Sequence, residues 1–137
     1  NLQGQETSCA NSIAQKAAIE ALTGDQSSMI EMKETFRKRR DLMIGLLNEI
    51  PQISCEKPKG AFYAFSDCSE YFGTQCDGKT ITTSTELSEF ILEESKVVTV
   101  PGDGFGAPGY IRFSYAVSSE IIIKGMDRLR QALHQLN

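Results

Sequence analysis

Apolar residues recur at helical spacing through the first third of the chain, and the remainder switches between strand-like and helical patterns. Ile13, Ala14, Ala17, Ala18, Ala21 and Leu22 share one helical face up to Gly24. Ser12 followed three residues later by Gln15 predicts a capping box at the start of that helix. Met29, Met32, Phe36, Met43, Leu47 and Ile50 keep intervals of three, four or seven, which predicts a long amphipathic helix that Pro51 stops. The polar stretch from Thr23 to Ser28 lies between the two and predicts an elbow between structural units. Asn1 to Asn11 carries no periodicity and is expected to be loop.

Beyond Pro51 the period shortens. Ser54 to Lys57 fits a short strand, Pro58-Lys59-Gly60 a turn, and Ala61-Phe62-Tyr63-Ala64-Phe65 a strand rich in aromatics. Ser66 to Thr82 has weak periodicity and is expected to be mostly loop. Thr83 with Glu86 forms a second capping box ahead of Leu87, Phe90 and Ile91. Val97, Val98 and Val100 predict a strand that ends at Pro101, and Tyr110 to Tyr115 predict another after a glycine-rich loop. Ser118 or Ser119 caps a last helix bearing Ile122, Met126, Leu129, Leu133 and Leu136. Helix, long helix, strands, helix, strands, helix is the order of an α+β domain: a small mixed or antiparallel sheet with helices on one face.

The strand from Tyr110 holds one cation, Arg112, between Ile111 and Phe113. A guanidinium stays charged near neutral pH, so a half-buried one needs an anionic partner, and a carboxylate gripped by two parallel hydrogen bonds suits it. The partner is either an acid of the fold, as in a structural ion pair, or a ligand. Just before this strand, Gly104-Phe105-Gly106-Ala107-Pro108-Gly109 matches G-x-G-x-x-G. A dinucleotide fingerprint needs a helix N-terminus after its glycines; here a strand follows and Pro108 interrupts, so the glycines are expected to form a tight loop between strands.

Charge and composition narrow the classes. A net charge of −4 over 137 residues gives no basic surface for nucleic acid. The one basic run, Arg37-Lys38-Arg39-Arg40, falls within a helical pattern among acids and is expected to be a solvated face. Cys9, Cys55, Cys68 and Cys76 form no C-x-x-C pair and the single histidine is His134, so neither a metal site nor a Cys-His nucleophile is expected. Lacking a membrane-length apolar run or a signal peptide, the chain is expected to be cytoplasmic with reduced thiols. It begins without Met and enters a helix after a short loop, as a piece of a longer protein would.

Taken together, Ser12-Ile13-Ala14-Gln15 with Ala17-Ala18 and Ala21-Leu22, Arg39-Arg40-Asp41, Pro58-Lys59-Gly60-Ala61-Phe62-Tyr63, Val100-Pro101-Gly102 with Phe105-Gly106, and Gly109-Tyr110-Ile111-Arg112-Phe113-Ser114-Tyr115-Ala116 occur in a telling order. The chain resembles the C-terminal third of a fold-type I, class I/II aminotransferase that uses pyridoxal phosphate, on the aspartate aminotransferase branch. The resemblance implies that residues 1–27 are the last helical piece of a large cofactor-binding domain. Residues 28–137 would be the small domain that closes on substrate. It implies that Arg112 grips the substrate α-carboxylate and that Phe62 or Tyr63 lines the cleft, ordinary core packing being the other possibility for these two aromatics. Thr7 and Ser8 fall where the family brings residues near the cofactor of the neighbouring subunit. The whole enzyme would be a homodimer that moves an amino group between an amino acid and a 2-oxo acid.

No lysine of this chain sits in the family's serine-rich lysine motif, so no catalytic residue is assigned, and the chain alone is expected to be inactive and free of cofactor. Two other classes remain open: an aminotransferase-like effector domain of a transcription regulator, and a free-standing α+β module that binds amino acids.

Overall fold

A computed structural model describes residues 2–6 and 9–136. They form two compact units, residues 1–34 and 35–137. In the first, α1 (Leu2–Glu6) is a short helix where a loop was expected, and α2 (Ser12–Thr23) follows. Its N-cap is Asn11, not Ser12: the Asn11 carboxamide oxygen accepts from the Ile13 amide at 2.8 Å. Gln15 turns back to donate to the Ala10 carbonyl instead of accepting from the Ser12 amide, so the expected capping box does not form. No residue of α2 is buried.

α3 (Ser27–Asn48) carries the division between the units and ends just before Pro51. In the second unit its Met43, Ile44 and Leu47 enter the core. Asn48, its last residue, takes both backbone groups of Cys55, accepting from the amide at 2.8 Å and donating to the carbonyl at 3.1 Å. Those groups are the ones a strand at Ser54 to Lys57 needs, and only an isolated bridge between Ser54 and Asp67 survives of it.

Three antiparallel strands build the sheet, in the order β1 (Tyr63–Asp67), β5 (Tyr110–Ser114), β4 (Val100–Pro101). The first strand starts two residues later than its aromatic run because Ala61 is left-handed, with φ +61°. A small hairpin of β2 (Gln75–Cys76) and β3 (Lys79–Thr80) occupies the stretch expected to be loop. α4 (Ser84–Ser95) begins with the expected reciprocal cap between Thr83 and Glu86, and α5 (Ser119–Leu133) is capped by Ser118.

Register decides which residues meet water. Tyr63 pairs with Ser114, Phe65 with Arg112 and Asp67 with Tyr110, while Ala64 pairs with Phe113 and Ser66 with Ile111. Side chains alternate across a strand, so Ala64, Ser66, Ile111 and Phe113 share one face, and all four are buried. Their core partners include Leu47, Leu87, Ile91, Ile122, Met126 and Leu129 from the three long helices. The opposite face, with Tyr63, Phe65, Tyr110 and Arg112, is open or half-buried. Helices on one face of a small antiparallel sheet is the architecture expected from the sequence.

All four cysteines are free, and Cys55 and Cys68 are buried. Burial, then the nearby Asp67 charge, pushes the Cys68 thiol up to about 12. Burial likewise raises Tyr71, whose hydroxyl donates to the Pro51 carbonyl, to about 12. In the unfolded chain these groups ionise from their ordinary values of 9.0 and 10.0. Between about pH 9 and 12 the unfolded state therefore binds fewer protons than the folded one. Stability is fully present below that window and is lost as pH rises through it, by at most about 1.4 kcal/mol per pH unit for each group. Urea midpoints measured from pH 8 to 11 should fall continuously above pH 9; a flat profile would contradict the placement of Cys68 and Tyr71.

Candidate carboxylate-binding site

Arg112 lies at the middle of the central strand, on the sheet face away from the helices, with Phe65 opposite it on one neighbour and Val100 on the other. Its guanidinium carbon is 5.0 Å from the centre of the Tyr63 ring and 5.1 Å from that of Phe105. Among the described residues no carboxylate lies within ion-pairing distance of it, in contrast to Arg40 and Arg130, which reach Asp41 at 2.8 Å and Glu49 at 3.2 Å. The structural ion pair is thus not what this fold builds around Arg112. Aromatic faces hold a cation without consuming its N–H donors, so the donors along the guanidinium edge stay available to a bidentate acceptor.

The rings are themselves organised. Phe65 stacks on Tyr110 at 5.0 Å between centroids and meets Phe105 edge-on at 6.3 Å. Phe62 packs edge-on against Tyr63 at 5.7 Å. Phe62 is 53% exposed and Tyr63 37%, so neither is a core residue, and both extend the aromatic strip from Arg112 into solvent. Thr7 and Ser8 lie outside the described residues.

The loop before β1 is fixed from beneath. Tyr115, almost fully buried, donates from its hydroxyl to the Ala61 carbonyl at 3.1 Å and from its amide to the Phe62 carbonyl at 2.9 Å. Arg40 donates to the Pro58 carbonyl at 3.1 Å while pairing with Asp41, which also holds Lys57 at 2.9 Å. Asp41 consequently titrates below its ordinary value, chiefly through its bonds to Lys57 and Arg40. The Arg39-Arg40 run is therefore not simply a solvated face: Arg40 is an anchor for the loop that presents Phe62.

A cleft of about 410 Å³ lies between α4 and the β2–β3 hairpin, but Asp77, Glu86, Glu89, Glu93 and Glu94 line it against the single cation Lys79. A carboxylate is repelled there. Among the described residues no group of acids, histidines and cysteines has the geometry to hold a metal, and no helix is long and apolar enough to cross a membrane.

Phe65, Tyr110 and Phe105 are the neighbours of Arg112 that sequence reasoning passed over. Phe65 and Tyr110 follow from strand parity once the register is known. Phe105 carries no such signal, because its position depends on the conformation of a glycine-rich loop.

The family model for class I and II aminotransferases matches residues 2–129. A Streptomyces avermitilis protein named aspartate aminotransferase is 41% identical over 135 residues, which cover 98% of this chain and 33% of that protein. A Rickettsia typhi protein named probable aspartate/prephenate aminotransferase is 44% identical over 136 residues, 98% of this chain and 34% of its own length. The crystal structure of the aspartate aminotransferase from Rhizobium meliloti superposes with a TM-score of 0.92 at 39% identity, over 99% of this chain and 34% of that one. The chain thus spans about a third of the length of the curated relatives it matches. With a family match across nearly its whole length and a fold shared at this identity, the chain belongs to the class I and II aminotransferases.

Proposed function

We propose that this chain is the substrate-closing part of an aspartate-aminotransferase-like enzyme. Residues 28–137 form its small domain and residues 1–27 the last helical piece of its large domain. The observation that carries the reading is Arg112: a half-buried guanidinium on an open sheet face, held by two rings, with no acid of the described fold within ion-pairing distance. The α-carboxylate of an amino acid or 2-oxo acid takes that place, bound by two parallel hydrogen bonds that fix one end of the substrate. The Tyr63 ring covers one side of the pair, and Phe62 packs edge-on against Tyr63. Both substrates of a transamination carry this carboxylate, so one cation serves both half-reactions.

The family uses pyridoxal phosphate, which supplies the electron sink for cleavage of the Cα–H bond. The groups against Arg112 are aromatic rings, which offer neither an amine for the cofactor carbonyl nor a set of donors for its phosphate. The surroundings of Arg112 therefore do not make that site by themselves. Thr7 and Ser8 are proposed to approach the cofactor of a neighbouring subunit in a homodimer. A cytoplasmic location is proposed as well, with free thiols in keeping.

The regulator and the free-standing module are not favoured, since the relatives above are named as aminotransferases. Discriminating experiment: the complete protein, loaded with pyridoxal phosphate, is given aspartate, alanine or phenylalanine without an acceptor. One equivalent of 2-oxo acid per subunit is expected, with turnover resuming when a second 2-oxo acid is added. Binding without any release of 2-oxo acid from the three would favour the effector-domain reading instead.

A further inference from the structure

We propose that Asp103 is a positioning residue for the carboxylate-binding cation, acting through the ring of Phe105. The inference rests on the assignment of Arg112 above. Asp103 sits in the 3-10 turn Gly102–Phe105, between β4 and β5. Its Oδ2 accepts from the Thr85 amide at 2.8 Å and from the Thr85 hydroxyl at 2.9 Å. The reciprocal cap of Thr83 and Glu86 at the α4 N-terminus leaves the Thr85 amide free, and Asp103 satisfies it from outside the helix. What it does is tie the turn to the helix.

A second tie closes the other end of the same loop. The Gly109 amide donates to the hydroxyl of the fully buried Ser84 at 2.8 Å. Between the two ties the loop carries Phe105, which is 56% exposed. Among the described residues its ring packs against Phe65 and the Arg112 guanidinium. An aromatic so exposed, on a loop with Gly102, Gly104, Gly106 and Gly109, has little burial to hold it in place. The two ties, one from the Asp103 carboxylate and one from the Gly109 amide, fix it instead, and adjacent residues of α4, Thr85 and Ser84, receive them.

Release of the Asp103 tie frees Phe105 from the guanidinium. Arg112 then samples more rotamers, and ordering it on binding costs affinity. The loss applies to ground state and transition state alike, so it appears in KM more than in kcat.

The test uses the complete protein loaded with pyridoxal phosphate and measures the affinity of maleate by calorimetry beside KM and kcat. Asp103→Ala and Phe105→Leu are each expected to weaken maleate binding about fivefold, the size of a lost cation–π contact. Asp103→Asn keeps an acceptor oxygen and should restore most of the affinity. The double variant Asp103→Ala with Phe105→Leu should bind no more weakly than Phe105→Leu alone, because both act on one contact. A lowered thermal midpoint in Asp103→Ala with unchanged maleate affinity would make Asp103 a purely structural tie and overturn the proposal. So would full additivity of the two substitutions. Should Asp103→Ala fail to fold, Thr85→Val, which removes one of the two bonds, takes its place in the same cycle with the same two outcomes. Arg112→Lys is the control: unchanged maleate affinity there removes the carboxylate assignment itself, whereas its loss alongside an unaffected Asp103→Ala removes only the positioning role.

Discussion

Arg112→Lys in the complete enzyme is expected to lower kcat/KM about 10- to 100-fold, the factor for losing one charge-assisted hydrogen bond of about 1.5–3 kcal/mol. Lysine keeps the charge but offers a point donor in place of a planar fork, and it cannot hold both carboxylate oxygens in one plane. Part of the loss falls on kcat, because a carboxylate held at one point leaves the rest of the substrate free to swing out of its reacting alignment. Folding stability gives the contrast. Arg112 has no acid of the described fold within ion-pairing distance and its neighbours are rings that a lysine can also face, so the unfolding free energy from urea titration should change by no more than about 0.5 kcal/mol. A structural ion pair would give the reverse: stability lost and kinetics untouched. Steady-state rates and unfolding curves on the same preparation separate the two, and an unchanged KM removes the role.

How far the sequence leads depends on whether the deciding interactions are local. The α4 cap was legible because both its members, Thr83 and Glu86, lie within one turn. Burial of Ile111 and Phe113 with Arg112 turned the other way follows from strand parity alone. At the head of α2 two adjacent residues were both good caps, and Asn11 took the position that Ser12 was expected to fill. The strand expected at Ser54 to Lys57 yielded to Asn48, whose side chain reaches across a turn to bind Cys55, which propensity does not register. The left-handed Ala61 shifted β1 onto Ser66 and Asp67.

The site divides along the same line. Arg112 stood out from its own strand, whereas Tyr63, which lies beside it, was suggested only by the resemblance. Phe105, Asp103 and Thr85 converge from a loop and a helix that are 18 residues apart at their hydrogen bond, and nothing in either segment alone points to the other. The same limit applies to Arg40, whose bond to the Pro58 carbonyl spans 18 residues and makes part of a basic run into a loop anchor.

Gly102→Ala should destabilise the protein by about 3 kcal/mol or more, at the upper end of the range for overpacking. A Cβ on Gly102 would stand 2.2 Å from the Ala107 carbonyl oxygen and 2.7 Å from that of Tyr110. Both obstacles are main chain, so no rotamer change relieves them, and the loop has to open. Opening it breaks the bond from the Ala107 amide to the Gly102 carbonyl, at 3.0 Å, and pulls on β5 where Tyr110 begins the strand that carries Arg112. Gly104 lies two residues on in the same 3-10 turn, where a Cβ meets nothing within 4 Å. Gly104→Ala should therefore change the unfolding free energy by no more than about 0.5 kcal/mol, and in the stabilising direction if the unfolded chain alone is affected. Urea unfolding of the pair isolates crowding from glycine's backbone freedom, because both substitutions stiffen the unfolded chain equally. Equal midpoints would mean that Gly102 is not pressed against the chain ahead of Arg112, and the loop geometry that places Phe105 would fall with it.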